Sequence, residues 1–182
     1  MKKDHRQPWY LFEQKDAVSG TELRKVDSDL LIAIDKNDVR SVERAIAKDN
    51  IDINKTYMLP VWEVPEAIGP QFETFLHRAL YSNSSDVFDL LLKNGANPRI
   101  ESYLHSTVLD DLFDFDKKKE DVLKYGKMLI DHGVSAEEIM LAAENRNKKH
   151  KQSAEMLIDY AATGKIARQT KEINLSLEHI RN

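Results

Sequence analysis

The sequence has no cysteine, few glycines and prolines, and no long hydrophobic segment. The absence of cysteine among 182 residues excludes disulfides, thiol catalysis and cysteine-ligated zinc, and it fits a reducing compartment. Six glycines, five prolines and 41% hydrophobic residues are typical of a chain that folds around a core. The longest purely apolar run, LLIAI at 30–34, is far too short to span a bilayer. We therefore expect one folded domain or one short repeat array, with no contact with a membrane.

The charges are well mixed and slightly acidic. Lys and Arg number 27 against 31 Asp and Glu, a net charge of -4, whereas nucleic-acid-binding proteins usually carry a clear basic excess. No nucleic acid is therefore expected as a partner. The N-terminal MKKDHRQPWYLF has no apolar segment after its basic residues, so no cleaved signal peptide is expected. These features predict a cytoplasmic protein and leave open export without such a signal, as for an effector.

Three short segments repeat along the chain. KMLIDHG at 127–133 and EMLIDYA at 155–161 are near copies, and DLLLKNG at 89–95 has the same pattern. A helix-like segment precedes each, and Leu76 and Leu109 begin two of these segments 33 residues apart. A period near 33 with two helices per unit is typical of a solenoid.

The segment TFLHRALYSNSSDVFDLLLKNGANP, from Thr74 onward, resembles an ankyrin repeat. It departs from the family pattern at Phe75, at Leu80 and at Asn83, where the family has Pro, Ala and Gly. The position of Asn83 requires a left-handed backbone between the two helices, and Asn tolerates that conformation best after Gly. The resemblance implies an ankyrin-type fold for this segment.

Three weaker repeats flank this segment, so the predicted fold is an all-α, ankyrin-like helix-turn-helix solenoid of four repeats with terminal caps and one inserted finger loop. The first and last segments are predicted to be an N-terminal extension or cap and a C-terminal capping helix, in which Ile166, Ile173, Leu177 and Ile180 share one helical face. The predicted boundaries are 1–27 for the extension, 28–54, 74–99, 106–135 and 136–161 for the repeats, 55–73 for the inserted loop and 162–182 for the capping helix.

The inserted loop, 55–73, is the largest irregularity. Ile46 and Thr74 are 28 residues apart, whereas the equivalent Leu92 and Thr107 are 15 apart. The insertion contains three of the five prolines, which exclude a long helix. In the resembled family such connections project as β-hairpin fingers. Two interpretations remain: the loop covers irregular packing between repeats, or it presents aromatic side chains to a partner.

His77 is the most conspicuous candidate for catalysis. In the resembled family, the Thr and His at the positions of Thr74 and His77 hydrogen-bond each other and nearby backbone, which predicts a structural role. The six histidines include no H-E-x-x-H pattern and no close pair, so neither a metal nor a cofactor is expected. The alternative is a small enzyme or metal-dependent protein with a site in the concave groove around His77 and His105.

Two charged segments also admit functional interpretations. DDLFDFDKKKED at 110–121 fails as a calcium loop because lysines occupy the positions where Asp or Asn and Gly are needed. ENRNKKHK at 144–151 fits either a solvated turn or a contact with phosphate or an acidic protein. We expect a solvated turn at both.

The resemblance implies a non-catalytic protein-protein interaction module, monomeric alone, that binds a partner of unknown identity through its concave face and finger loops. Adaptor, inhibitor and effector roles all fit this function. The inner-face positions implied by alignment are Asp35, Lys36, Tyr81, Ser82, Asp114, Phe115, Asn145 and Arg146. The finger positions are Tyr57, Met58, Trp62, Arg99, Glu101 and Tyr103.

Overall fold

The computed structural model of the chain is mostly helical, with one short pair of strands. It describes residues 25–49, 51–59, 71–102, 105–114, 117–146 and 150–164. Among these residues, no helix has the length and apolar character needed to cross a membrane. The elements are α1 Lys25–Asp35, α2 Val39–Asp49, β1 Thr56–Leu59, β2 Gln71–Thr74, α3 Phe75–Tyr81, α4 Ser85–Lys93, α5 Val108–Leu112, α6 Lys119–Asp131, α7 Ala136–Arg146 and α8 151–164.

In the first two helix pairs, α1 with α2 and α3 with α4, the helices are joined by a tight turn with a left-handed residue. Asn37 between α1 and α2 has a φ of 53°, and Asn83 between α3 and α4 has a φ of 56°. The predicted left-handed Asn83 is therefore confirmed, and Asn37 occupies the same place one pair earlier. After α4, the chain turns at Gly95, whose φ of 89° suits glycine because it lacks a Cβ.

The chain divides into two compact units, residues 1–111 and 112–182. In the first unit, α1 packs on α3 and α2 packs on α4, so two helix pairs are stacked. The facing positions are apolar because each pair has an amphipathic pattern that cannot be buried within the pair alone. The fully buried side chains of this stack include Leu30, Leu31, Ile34, Leu76, Leu80, Val87 and Leu91.

The insertion between these two pairs begins and ends as a β-hairpin. β1 and β2 are antiparallel, with Thr56 opposite Thr74 and Leu59 opposite Gln71. The resemblance implied a β-hairpin at this connection, and the paired strands agree with it, within a fold that is otherwise helical. Residues 60–70, which contain Trp62 and the three prolines of the insertion, lie outside the described residues.

The second unit packs α6 against α8. Phe113, Val122, Leu129 and Leu157 are buried in its core. His150, which directly precedes α8, is also buried, and its Nε2 lies 3.2 Å from the carbonyl oxygen of Asp114. α8 continues through residue 164, three residues beyond the predicted end of the last repeat. The two predicted terminal segments lie mostly outside the described residues, namely 1–24 and 165–182.

The close approach of α6 and α8 depends on Gly126. A Cβ at this position would lie 2.4 Å from Cδ1 and 3.2 Å from Cγ of the fully buried Leu157. We expect Gly126→Ala to lower the free energy of unfolding by about 1 kcal/mol, because overpacking costs about 1–3 kcal/mol and alanine regains about 1 kcal/mol of helix propensity. Urea unfolding followed by circular dichroism measures the change.

Gly164→Ala is the matched control for this substitution. A Cβ there would meet no atom within 4 Å, so we expect a neutral or slightly stabilising effect. Equal effects of the two substitutions would contradict the close packing of α6 on α8.

Candidate functional site

The start of α3 is organised around Thr74 and His77. Thr74 is the N-cap, and its Oγ1 accepts a hydrogen bond of 3.3 Å from the His77 backbone N–H. In return, the Thr74 backbone N–H donates to His77 Nδ1 over 3.3 Å, and Thr74 Oγ1 lies 2.8 Å from the same nitrogen. The predicted contact between Thr74 and His77 is confirmed, and it closes a capping box with His in place of the usual Glu or Gln.

The other ring nitrogen of His77 reaches the next segment of the chain. Because Nδ1 accepts from a backbone N–H, the neutral ring carries its proton on Nε2, which lies 3.3 Å from the carbonyl oxygen of Ser106. Burial lowers the pKa of His77 below its usual 6.5, against the opposing effect of the Asp111 carboxylate 3.8 Å away. The ring therefore stays neutral and ties α3 to the segment that precedes α5.

This enclosure removes His77 from contact with a substrate. Its side chain is fully buried, and both ring nitrogens are used by the fold. His105 is exposed, and its Nδ1 lies 3.1 Å from Glu101 Oε2. The structure therefore does not bring the two histidines of the alternative interpretation together as one catalytic pair. The described part of the chain also has no cluster of three or more His, Asp or Glu that could hold a metal ion.

A polar cluster joins the C-terminal ends of α1 and α3. Arg78 donates from Nε and from a terminal nitrogen to the two carboxylate oxygens of Asp35, over 2.6 and 2.7 Å. Ser82 Oγ donates to the same carboxylate over 2.6 Å. These groups are partly buried, and a bidentate pair of this kind fixes both geometry and charge. Two predicted inner-face residues, Asp35 and Ser82, thus lie side by side.

Tyr81 lies beside this cluster and combines exposure with a fixed hydroxyl. Its side chain is 48% exposed, yet its hydroxyl donates to the Asp111 carboxylate. Asp35 aligns with Tyr81, and Arg78 aligns with Asp111, when Leu30, Leu76 and Leu109 are placed in register. The pairs Asp35–Arg78 and Tyr81–Asp111 therefore join the same two repeat positions. Each pair connects the first helix of one repeat to the first helix of the next.

The hairpin contributes a buried carboxylate, that of Glu73, close to Arg78 of this cluster. Tyr57 of β1 is 2% exposed, its ring stacks on Phe75 with centroids 5.6 Å apart, and its hydroxyl donates to Glu73 of β2. Glu73 is also buried, and its Oε1 lies 3.8 Å from Arg78. The prediction that Tyr57 contacts a partner is corrected, because burial and these contacts give it a packing role in the hairpin.

Apart from the buried Tyr57, the predicted site residues fall into three groups. Tyr81, Lys36, Arg99, Glu101, Asp114 and Asn145 are exposed, while Asp35 and Ser82 are half-buried. Outside the described residues or side chains lie Met58, Trp62, Tyr103, Phe115 and Arg146. Sequence reasoning missed Arg78, Asp111 and Glu73. The first two occupy aligned positions opposite Asp35 and Tyr81, so complementary side chains at those positions were the signal that could have found them.

Burial raises the pKa of Glu73 from 4.5 to about 7, although the hydrogen bond from Tyr57 and the charge of Arg78 oppose this shift. The carboxylates of Asp35 and Asp111 act in the same direction as burial. Folded Glu73 keeps its proton between pH 4.5 and about 7 while the unfolded chain releases it, so the free energy of unfolding falls as the pH rises through this window. The total decrease attributable to Glu73 is about 3 kcal/mol at pH 8.

Glu73→Gln is therefore expected to be more stable than the wild type by about 2–3 kcal/mol at pH 8 and nearly equal to it at pH 5. The glutamine keeps an acceptor for the Tyr57 hydroxyl but does not titrate. The lowered pKa of His77 has the opposite effect, because it makes the free energy of unfolding rise with pH. This contribution is the same in both proteins and cancels when their stabilities are compared. Urea unfolding at several pH values measures the difference, and a gap that does not change with pH would contradict this assignment.

Comparison with known proteins identifies one repeat. Residues 73–103 match the family model of the ankyrin repeat, a range that contains the last two residues of β2 and all of α3 and α4. Ankyrin repeats are generally protein-protein interaction modules. A search of curated proteins gives no match. The matched range includes the Thr74–His77 capping box, Arg78 and Tyr81.

Proposed function

We propose that this chain, which carries an ankyrin repeat at residues 73–103, is a non-catalytic module that binds another protein. The binding surface comprises the exposed side chains at the ends of the first helices of its repeats, together with the loops that follow the second helices. The observation that carries the proposal is Tyr81, which is half exposed to solvent while its hydroxyl is held by Asp111.

A fixed and exposed aromatic side chain is well suited to recognition. Tyrosine supplies a large contact area, and its hydrogen bond to Asp111 has already restricted its rotamers before a partner arrives. Asp35 and Ser82, joined to Arg78, place a preorganised polar edge beside the ring. Binding here would therefore order few side chains, and more of the contact energy would remain as affinity.

The loop after α4 supplies further contacts in this proposal. Arg99 and Glu101 are both exposed there and carry opposite charges. Charged residues at the rim of an interface affect the rate of association and the choice of partner more than the affinity. Trp62, in the part of the insertion outside the described residues, remains proposed as an aromatic contact.

The proposal includes the four-repeat solenoid with the predicted boundaries and with caps at 1–27 and 162–182. The stacking of α1 on α3 and of α2 on α4 supports this layout for the first two repeats. We also propose that the protein acts as a cytoplasmic monomer and needs neither nucleic acid, metal nor cofactor. An adaptor, an inhibitor and an effector would each use such a surface.

The test is the affinity for a partner of variants that differ only on the surface. A partner is first captured with the wild-type chain and identified, and the purified partner is then titrated by calorimetry. We expect Tyr81→Ala to weaken binding at least tenfold, with a smaller loss for Trp62→Ala. Met156→Ala is the matched control, because Met156 is 45% exposed but lies on α8 in the other unit.

Unchanged affinity of the Tyr81 variant, with the control also unchanged, would refute the proposed surface. Tyr81→Phe separates the two roles of the side chain, because it retains the ring and loses only the bond to Asp111. We expect Tyr81→Phe to bind two- to fivefold more weakly than the wild type. Conversion of a captured molecule to a product would instead favour the enzymatic alternative.

A further inference from the structure

A groove runs between α7 and α8 in the second unit. It has a volume of about 560 Å³, and its floor is formed by Met140, Ala143, Ala154 and Ile158. The alanines are small, so the two helices leave room for side chains from a third segment. Met140 remains 47% exposed on this floor, although it is a large apolar residue.

The groove has the features of a docking site for an amphipathic segment. Its apolar floor is bordered by charged side chains of both signs, Glu144, Lys151 and Glu155. An incoming segment would gain free energy by burying apolar side chains on this floor, because apolar surface would be removed from water. Charged residues of that segment would remain at the rim.

The chain itself supplies a segment with this pattern. The described part of the chain reaches residue 164, and the sequence continues for 18 residues, KIARQTKEINLSLEHIRN. Ile166, Ile173, Leu177 and Ile180 are spaced as on one face of a helix, and basic and acidic residues lie between them. The groove therefore suits a segment that carries both apolar and charged residues. Both kinds occur in residues 165–182, which directly follow α8, one of the two helices that line the groove.

The length of this segment is sufficient. From Ile158 to Lys151, the groove extends along α8 for about 10 Å, at 1.5 Å per residue. Eighteen residues span about 27 Å even as a helix, which is more than twice the length of the groove along α8. Its starting point also favours this occupant over a separate molecule, because attachment beside the groove gives a high effective concentration.

We propose that residues 165–182 dock intramolecularly in the groove between α7 and α8, with their apolar face on Met140, Ala143, Ala154 and Ile158. This docking covers the apolar floor of the groove. The inference rests on the proposed function, which includes a C-terminal cap, and it assigns the surface that this cap covers. Its test requires no partner protein, so its failure is distinguishable from failure of the proposed partner binding.

The test uses the absence of cysteine from the full chain. Met140→Cys places a single thiol on the floor of the groove, and Leu141→Cys is its matched control, because Leu141 is adjacent on α7, 57% exposed and not part of the groove lining. The rate of maleimide labelling reports access to each thiol. We expect Met140→Cys to react about tenfold more slowly than Leu141→Cys. Ile173→Asp with Leu177→Asp should remove this protection and leave Leu141→Cys unchanged.

Three outcomes would overturn the proposal. Equal labelling of the two thiols would mean that the groove is open. Protection that persists in the Ile173→Asp/Leu177→Asp chain would come from other packing, and protection lost on dilution would identify a second copy as the occupant.

A second measurement does not depend on the aspartate substitutions. We expect Met140→Cys combined with Ile173→Cys to form an intramolecular disulfide on mild oxidation, several-fold more than Leu141→Cys combined with Ile173→Cys. The same yield from both pairs, or disulfides only between molecules, would also reject the proposal.

Discussion

Replacing His77 by alanine is expected to lower the free energy of unfolding by about 3–4 kcal/mol. The ring is fully buried, so its loss leaves a cavity among α3 and its neighbours. The Ser106 carbonyl and the Thr74 backbone N–H lose their hydrogen-bond partners at the same time. Urea unfolding at pH 7.5 measures the change, and a loss of this size would place His77 among the structural determinants of the fold.

His105→Asn is the matched control for the His77 variant. His105 is exposed and has a φ of 53°, a backbone conformation that asparagine tolerates. We expect its free energy of unfolding to stay within about 0.5 kcal/mol of the wild type. Similar stabilities of the two variants would contradict the structural role of His77.

Replacing Arg78 by methionine is expected to lower the free energy of unfolding by about 3 kcal/mol. The guanidinium is shared between the bidentate partner Asp35 and the buried Glu73, so its removal leaves two acidic groups without their cation. Arg78→Lys retains the charge but not the planar fork, and we expect about half of that loss. Urea unfolding at pH 8, where Glu73 is ionised, gives the clearest comparison.

The Arg78→Met defect should depend on Glu73. In Arg78→Met combined with Glu73→Gln, one of the two uncompensated acidic groups is removed, so part of the lost stability should return. Strictly additive effects of the two substitutions would show that Arg78 and Glu73 do not interact energetically. The interpretation of the cluster as one electrostatic unit would then be wrong.

Much of the ankyrin repeat was predictable because its determinants are local. The pattern at Thr74 and His77 indicates a capped helix start, and Asn83 meets the backbone requirement of the turn that follows. Such features depend on residues three to nine positions apart in the sequence. The structure confirms each of them, including the contact between Thr74 and His77.

The contacts between repeats were harder to predict because they depend on register. The 55–73 insertion separates α1 from α3, and its length does not indicate which residue of one helix faces which residue of the other. Asp35 was predicted on the inner face, but its bidentate partner Arg78 was not. Tyr57 was misassigned because an aromatic residue in a loop fits an exposed contact and an internal one equally well; pairing with Glu73 decides between them.

Hydrogen exchange of the full chain, with and without its purified partner, locates the surface that the partner covers. We expect the partner to slow exchange at the end of α3 and in the loop after α4, around Tyr81, Ser82, Arg99 and Glu101. Amides in the core of α4 should change much less, because they are already protected by packing. Protection confined to other parts of the chain, or no protection by a partner that binds, would contradict the proposed surface.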